Sequence, residues 1–139
     1  MADSKKELKI QLVNELIQLW LELQYEIDEC MESSEITPQM EEKCMHTKTR
    51  IAQRKQMAKD LIGEDFSCNG GMTKVLLGIP SLDLLKDQSP IIVSNLRNIW
   101  HEAFIALNQL AGNLKLEKDY GGGTERKKKS LLGKLIGRG

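Results

Sequence analysis

The residues best suited to chemistry are few: Cys30, Cys44 and Cys68, with His46 and His101. Thiolates and imidazoles at the right spacing hold zinc or make a nucleophile–base pair. Here there is no Cys-x-x-Cys and no pair of histidines three to five residues apart. Cys44 and His46 stand two apart, which on a helix sends them to divergent sides. Glu102 follows His101 directly, and adjacent helical residues do not face each other. Both histidines read as solvated surface residues, and the cysteines as small buried side chains. No metal, cofactor or catalytic residue is expected.

A second candidate is the run Cys68-Asn69-Gly70-Gly71-Met72-Thr73-Lys74. It lacks the Gly-Lys-Ser/Thr order of a phosphate-binding loop, and no strand precedes it. Phe66-Ser67-Cys68-Asn69-Gly70-Gly71 carries turn chemistry instead, with Asn-Gly and Gly-Gly able to adopt positive φ. The paired acids Glu41 and Glu42 read as first-turn residues favoured by the helix dipole.

The segment that stands out is the C-terminal one. Residues 1–120 carry 14 Lys and Arg against 19 Asp and Glu, while residues 121–139 carry six basic residues and one acid. A net charge of zero therefore conceals an acidic body and a basic tail. At 100° per residue, Leu131, Leu132, Leu135 and Ile136 share an arc of about 140°. Arg126, Lys127, Lys128, Lys129 and Lys134 lie around them. A helix this short does not persist alone in water and orders on contact. The four aliphatic residues suit a groove on another protein, with the basic residues steering toward an acidic rim. Phosphates of nucleic acid or an anionic membrane are the alternative, although no aromatic residue accompanies the lysines. Folding back onto the acidic body is a further outcome.

These pieces need positioning elements. Ser4-Lys5-Lys6-Glu7 reads as a capping box opening a helix over residues 4 to about 31. Leu8, Leu12, Leu16, Leu19, Leu23 and Ile27 form its apolar row, widened by Val13, Ile17, Trp20 and Leu21. Thr37-Pro38 opens a second helix, with Pro38 where its missing N–H costs nothing. Met40, Cys44, Ile51, Ala58 and Leu61 make a thinner seam, and Gly63 closes the helix. Residues 72–77 and 81–86 suit short helices separated by Gly78 and Pro80. Ser89-Pro90 opens a third long helix with Ile92, Leu96, Ile99, Ala103, Ala106 or Leu107, Leu110 and Leu114 along its core face. Ala103 and Ala106 are small enough to admit a neighbouring helix. Gly121-Gly122-Gly123 marks a joint.

The expectation is an all-α protein. Residues 1–120 form a three-helix bundle, an antiparallel hairpin plus a third long helix with short helical decorations, and residues 121–139 a flexible Gly-hinged basic tail. Some of Trp20, Leu21, Trp100 and Phe104 stay exposed unless the short helices cover them. This layout is similar to that of small export chaperones, such as those of flagellar secretion, in architecture and not in any motif. Apolar residues at 40% and charged residues at 29% suit a folded protein. The longest apolar stretch, residues 75–80, is far too short for a membrane span. An odd number of cysteines and no leader-like start suit the reducing cytoplasm. The functional expectation is a non-enzymatic interaction module, an adaptor, chaperone or assembly subunit, with another protein as partner and self-association compatible.

Overall fold

The computed structural model describes residues 2–120, which are all-α, without a strand among the described residues. The helices are α1 (Ala2–Glu32), α2 (Pro38–Ile62), α3 (Asn69–Gly78), α4 (Leu82–Lys86) and α5 (Pro90–Tyr120), with a 3₁₀ turn at Gly63–Asp65. Helix α1 starts two residues before Ser4, so Ser4 is inside the helix and does not cap it. Thr37 does cap α2. Its Oγ1 accepts from the Met40 amide at 3.1 Å, and Met40 Sδ accepts from the Thr37 amide at 3.5 Å. A thioether thus takes the place of the usual glutamate in the capping box. Gly63 closes the helix at φ 78°, with its amide donating to the Lys59 carbonyl.

Cross-helix contacts fix the directions. Glu15 pairs with Arg54 and Glu26 with Thr47, so α2 runs antiparallel to α1. Trp20 meets Trp100 and Glu7 meets Lys118, so α5 also runs antiparallel to α1. Lys55 holds Asn69 and Lys48 holds the Ile79 carbonyl, so α3 runs antiparallel to α2. Helix α3 packs on α5 and touches α2, opposite α1. It lies beside the three long helices, antiparallel to α2. Its ten residues reach along only part of α5.

Of the turn expected over residues 66–71, Ser67 and Cys68 form a turn, while Asn69-Gly70-Gly71 is the first turn of α3. The close approach of α3 to α5 requires a glycine at Gly78 but not at Gly70 or Gly71. A Cβ on Gly71 would stand 3.8 Å from Ala103 Cβ, and one on Gly78 only 2.5 Å from Leu96 Cδ2. Ala103 admits a helix, as its size suggested, and that helix is α3.

The core follows the α1 row closely. Leu12, Leu16, Leu19, Leu23 and Ile27 are buried with Val13 and Trp20, whereas Leu8 and Leu21 are exposed. Burying each large side chain contributes roughly 1.5–3 kcal/mol. On α5 the buried row is Val93, Trp100, Ala103, Leu107, Leu110 and Leu114, and Ile92 is outside it. Both tryptophans are buried and their rings stack, with Phe104 stacked on Trp100 and half-buried. Val75 and Ile79 of the α3 segment line the same small cleft as Trp100, so the short helices do cover it.

Candidate interaction surface

The thiols are placed for packing. Cys30, Cys44 and Cys68 are free and buried. Burial pushes Cys44 and Cys68 each up to about 11 and raises Cys30 as well, so all stay protonated near neutrality. Cys30 Sγ donates weakly to the Leu82 carbonyl at 3.6 Å. His46 and His101 are exposed on α2 and α5. Among the described residues no three His, Cys, Asp or Glu side chains gather as metal ligands.

The segment joining α3 to α5 is held by polar side chains of α2 and by its own Lys86, which reaches the main chain of α1. Glu41 accepts from the Leu82 amide at 2.7 Å and the Asp83 amide at 3.2 Å, while Ser81 Oγ accepts from the Leu84 amide. Glu41 of α2 and the N-cap residue Ser81 thus cap the five-residue α4, whose free N–H groups would otherwise be orphaned. Lys48 Nζ donates to the Ile79 carbonyl, and Lys86 Nζ to the Cys30 carbonyl. Ile79, Leu82 and Leu85 are buried beneath. Glu41 is therefore more than a first-turn acid. Nothing in its own helix signals that role, because the group it caps is about forty residues away.

On this pinned segment several aliphatic side chains point outward. Leu77 is 76% exposed, Ile91 73%, Leu84 51% and Ile92 45%. Single exposed leucines are ordinary, but these four large side chains lie within sixteen residues: Leu77 near the end of α3, Leu84 on the anchored α4, and Ile91 and Ile92 at the start of α5. The periodicity placed Ile92 in the core, whereas it is exposed; of Trp20, Leu21, Trp100 and Phe104, Leu21 is exposed, Phe104 half-buried and both tryptophans buried.

Two grooves lie elsewhere. The larger, about 590 Å³, runs over α1 between Arg50 and Lys118, with Ile10 and Leu19 in its lining. Its acids are Glu7, Glu15 and Glu22, of which Glu7 is engaged by Lys118 at 3.5 Å and Glu15 by Arg54 at 2.6 Å. The second, about 380 Å³, lies between the segment after the 3₁₀ turn and the last turns of α5. Ala106, Leu110, Leu114 and Leu116 supply its apolar lining, and Asp65 and Glu117 its charge. It sits where α3 would continue if that helix were longer.

A buried polar pair completes the inventory. Glu26 is buried, its Oε2 2.7 Å from Thr47 Oγ1, while Oε1 has no hydrogen-bond partner. Desolvation raises the Glu26 pKa above its ordinary value, and the hydrogen bond from Thr47 only partly offsets it. That each residue falls on the core face of its helix was legible in the spacing, though their pairing was not. Glu26 continues the Leu12–Leu19 row at seven-residue intervals, and Thr47 lies between Cys44 and Ile51 on the α2 seam.

The expected partner-binding residues Arg126, Lys127, Lys128, Lys129, Leu131, Leu132, Lys134, Leu135 and Ile136 lie outside the described residues. No protein-family model, curated protein or solved structure matches this chain.

Proposed function

We propose that this chain is a non-enzymatic protein–protein interaction module of the adaptor, chaperone or assembly-subunit kind, working in the reducing cytoplasm. The carrying observation is the corner at residues 77–92, where Leu77, Leu84, Ile91 and Ile92 are exposed on a segment fastened by Glu41, Lys48 and Lys86. A preorganised aliphatic surface loses little entropy on docking, which favours a protein partner over a small ligand. The buried, protonated thiols support a role without covalent catalysis. The basic amphipathic tail supplies a second contact for the same partner.

The test captures partners on full-length protein and identifies them by mass spectrometry. The strongest is then rebuilt from purified components and titrated calorimetrically. Leu77→Ser with Ile91→Ser should weaken that complex at least tenfold, as expected for central aliphatic anchors. Leu8→Ser, on an exposed part of α1, should leave it unchanged. Equal affinity for the corner variant overturns the reading. Capture of nucleic acid or lipid alone, lost at moderate salt, replaces it with polyanion binding by the tail.

A further inference from the structure

We propose that Lys48, Lys55 and Lys59, in a row along the seam between α2 and α3, form a docking strip for a short acidic amphipathic helix of a partner protein. This partner chemistry rests on the reading of the chain as a protein-interaction module.

The strip begins in the sequence. Between Glu42 and Asp60, α2 carries six Lys and Arg and no acid, and α3 carries no acid either. Over residues 1–120 as a whole the acids outnumber the bases, 19 to 14, so this side departs from the rest of the body. At 100° per residue, Lys48, Lys55 and Lys59 fall within about 40° of one another on α2. Contacts identify that side. Lys48 Nζ donates to the Ile79 carbonyl just past the end of α3, and Lys55 Nζ donates to Asn69 Oδ1 at its first residue, 3.1 Å away. The row therefore follows α3 from end to end.

These cations lack a counter-charge of their own. Lys48 and Lys55 are half-buried, and each is held by a neutral oxygen, which leaves two N–H groups and the charge uncompensated. Lys59 is exposed, and none of the three is ion-paired among the described residues. The other cations of α2 face acids of α1. Arg54 is paired with Glu15, Arg50 lines the groove that holds Glu22, and Lys43 acts on Glu26. Glu41 shares a small cavity with Lys48, but both its oxygens accept from α4 amides.

Spacing selects a helix as the occupant. The row steps by about 10.5 Å and then about 6 Å along α2, and carboxylates at i, i+4 and i+11 of an antiparallel helix repeat those steps. The acid-free stretch, residues 43–59, is about 24 Å long, which suits some four turns of helix. A nucleic-acid duplex would run onto Glu41 and Glu42 at one end and Asp60, Glu64 and Asp65 at the other. Neither α2 nor α3 has an aromatic residue on which a base could stack. Apolar contacts are present instead. Met45, 64% exposed, lines the cavity beside Lys48, and Leu77 is exposed two residues before Ile79. An amphipathic helix uses both, and a phosphate chain uses neither.

The experiment titrates isotope-labelled full-length protein in 0.1 M salt and follows the amide resonances. The probe is a capped, alanine-rich helical peptide of 20 residues with Glu at positions 3, 7 and 14 and Leu at 17 and 18. Shifts should concentrate on residues 45–59 of α2 and on α3. Lys55→Gln with Lys59→Gln should weaken binding by about fivefold or more, whereas Arg50→Gln, off the row, should leave it unchanged. The same peptide with Gln for Glu should not bind. Absence of shifts at 2 mM peptide, or equal binding of the Gln peptide, overturns the proposal. Shifts confined to residues 126–134 overturn it in favour of the tail. Stronger shifts of the row by a 12-base-pair duplex overturn it in favour of phosphates. A captured partner that is lost with the corner variant yet indifferent to the lysine pair removes this proposal and leaves the proposed function standing.

Discussion

Trp20 and Trp100 each donate an indole N–H to the other's main-chain carbonyl, at 2.9 Å and 3.0 Å. Their rings lie nearly parallel, 3° apart, with centroids separated by 6.1 Å. This reciprocity needs two antiparallel helices whose backbones approach at one level, so it fixes the register of α1 against α5. Each indole must satisfy its donor once it is buried, and here the opposing backbone does so.

Breaking one half of this exchange should cost less than its buried area implies, because the other indole still bridges the helices. Trp100→Phe is expected to destabilise by about 1–2 kcal/mol and Trp20→Phe, which is fully buried, by about 2–3 kcal/mol. The pair should be non-additive by about 0.5–1.5 kcal/mol. Urea unfolding followed by circular dichroism measures all three. Strict additivity would show that the two bonds act independently.

Glu26 gives a pH signature. Its pKa is raised in the folded protein, so the native state holds the proton more tightly than the unfolded chain does. Stability then declines as pH climbs from the ordinary carboxylate value of about 4.5 to the folded value, and levels off above it. A protonated Glu26 can donate to Thr47 Oγ1, and Thr47 in turn to the Lys43 carbonyl 3.1 Å away. Glu26→Gln should therefore raise Tm by about 2–4 °C at pH 7, with the gain shrinking toward pH 4.5. A gain that is constant with pH contradicts this account. Thr47→Val should destabilise at pH 7 by about 1–3 kcal/mol, because the carboxylate loses a donor in a buried place.

The cysteines should be silent in the folded state. With Cys44 and Cys68 near 11 and Cys30 also raised, none is a thiolate at pH 8. A disulfide reagent at pH 8 should modify all three at a common rate that tracks global unfolding, and rapidly in denaturant. One cysteine reacting within seconds under native conditions would show local opening around it.

Neighbouring glycines should respond in opposite directions. A Cβ on Gly70 meets nothing within 4 Å, so Gly70→Ala should stabilise by about 0.5–1 kcal/mol through helix propensity. Gly78→Ala drives a methyl into Leu96 and should destabilise by about 1–2 kcal/mol. Leu96→Ala should remove most of the Gly78 penalty, which chemical denaturation of the four variants will read out.

The sequence by itself determined the all-α class, the Thr37–Pro38 start of α2, the Gly63 stop, and most of the α1 core row. Those features depend on a residue and its neighbours within about a turn, where capping, proline and the 3.6-residue period act directly. It misplaced the start of α1, because a serine followed three residues later by glutamate is as compatible with a helix interior as with its end. It read residues 66–71 as a turn, although Asn69-Gly70-Gly71 already belongs to the first turn of α3. Only the tertiary structure decided that Glu41 caps α4, that Glu26 and Thr47 pair, and that Ile92 faces outward while both tryptophans face in. These outcomes depend on groups from about twenty to eighty residues apart meeting at one level of the bundle. Periodicity tells which side of a helix is apolar, but not which neighbour covers it or where that neighbour stops.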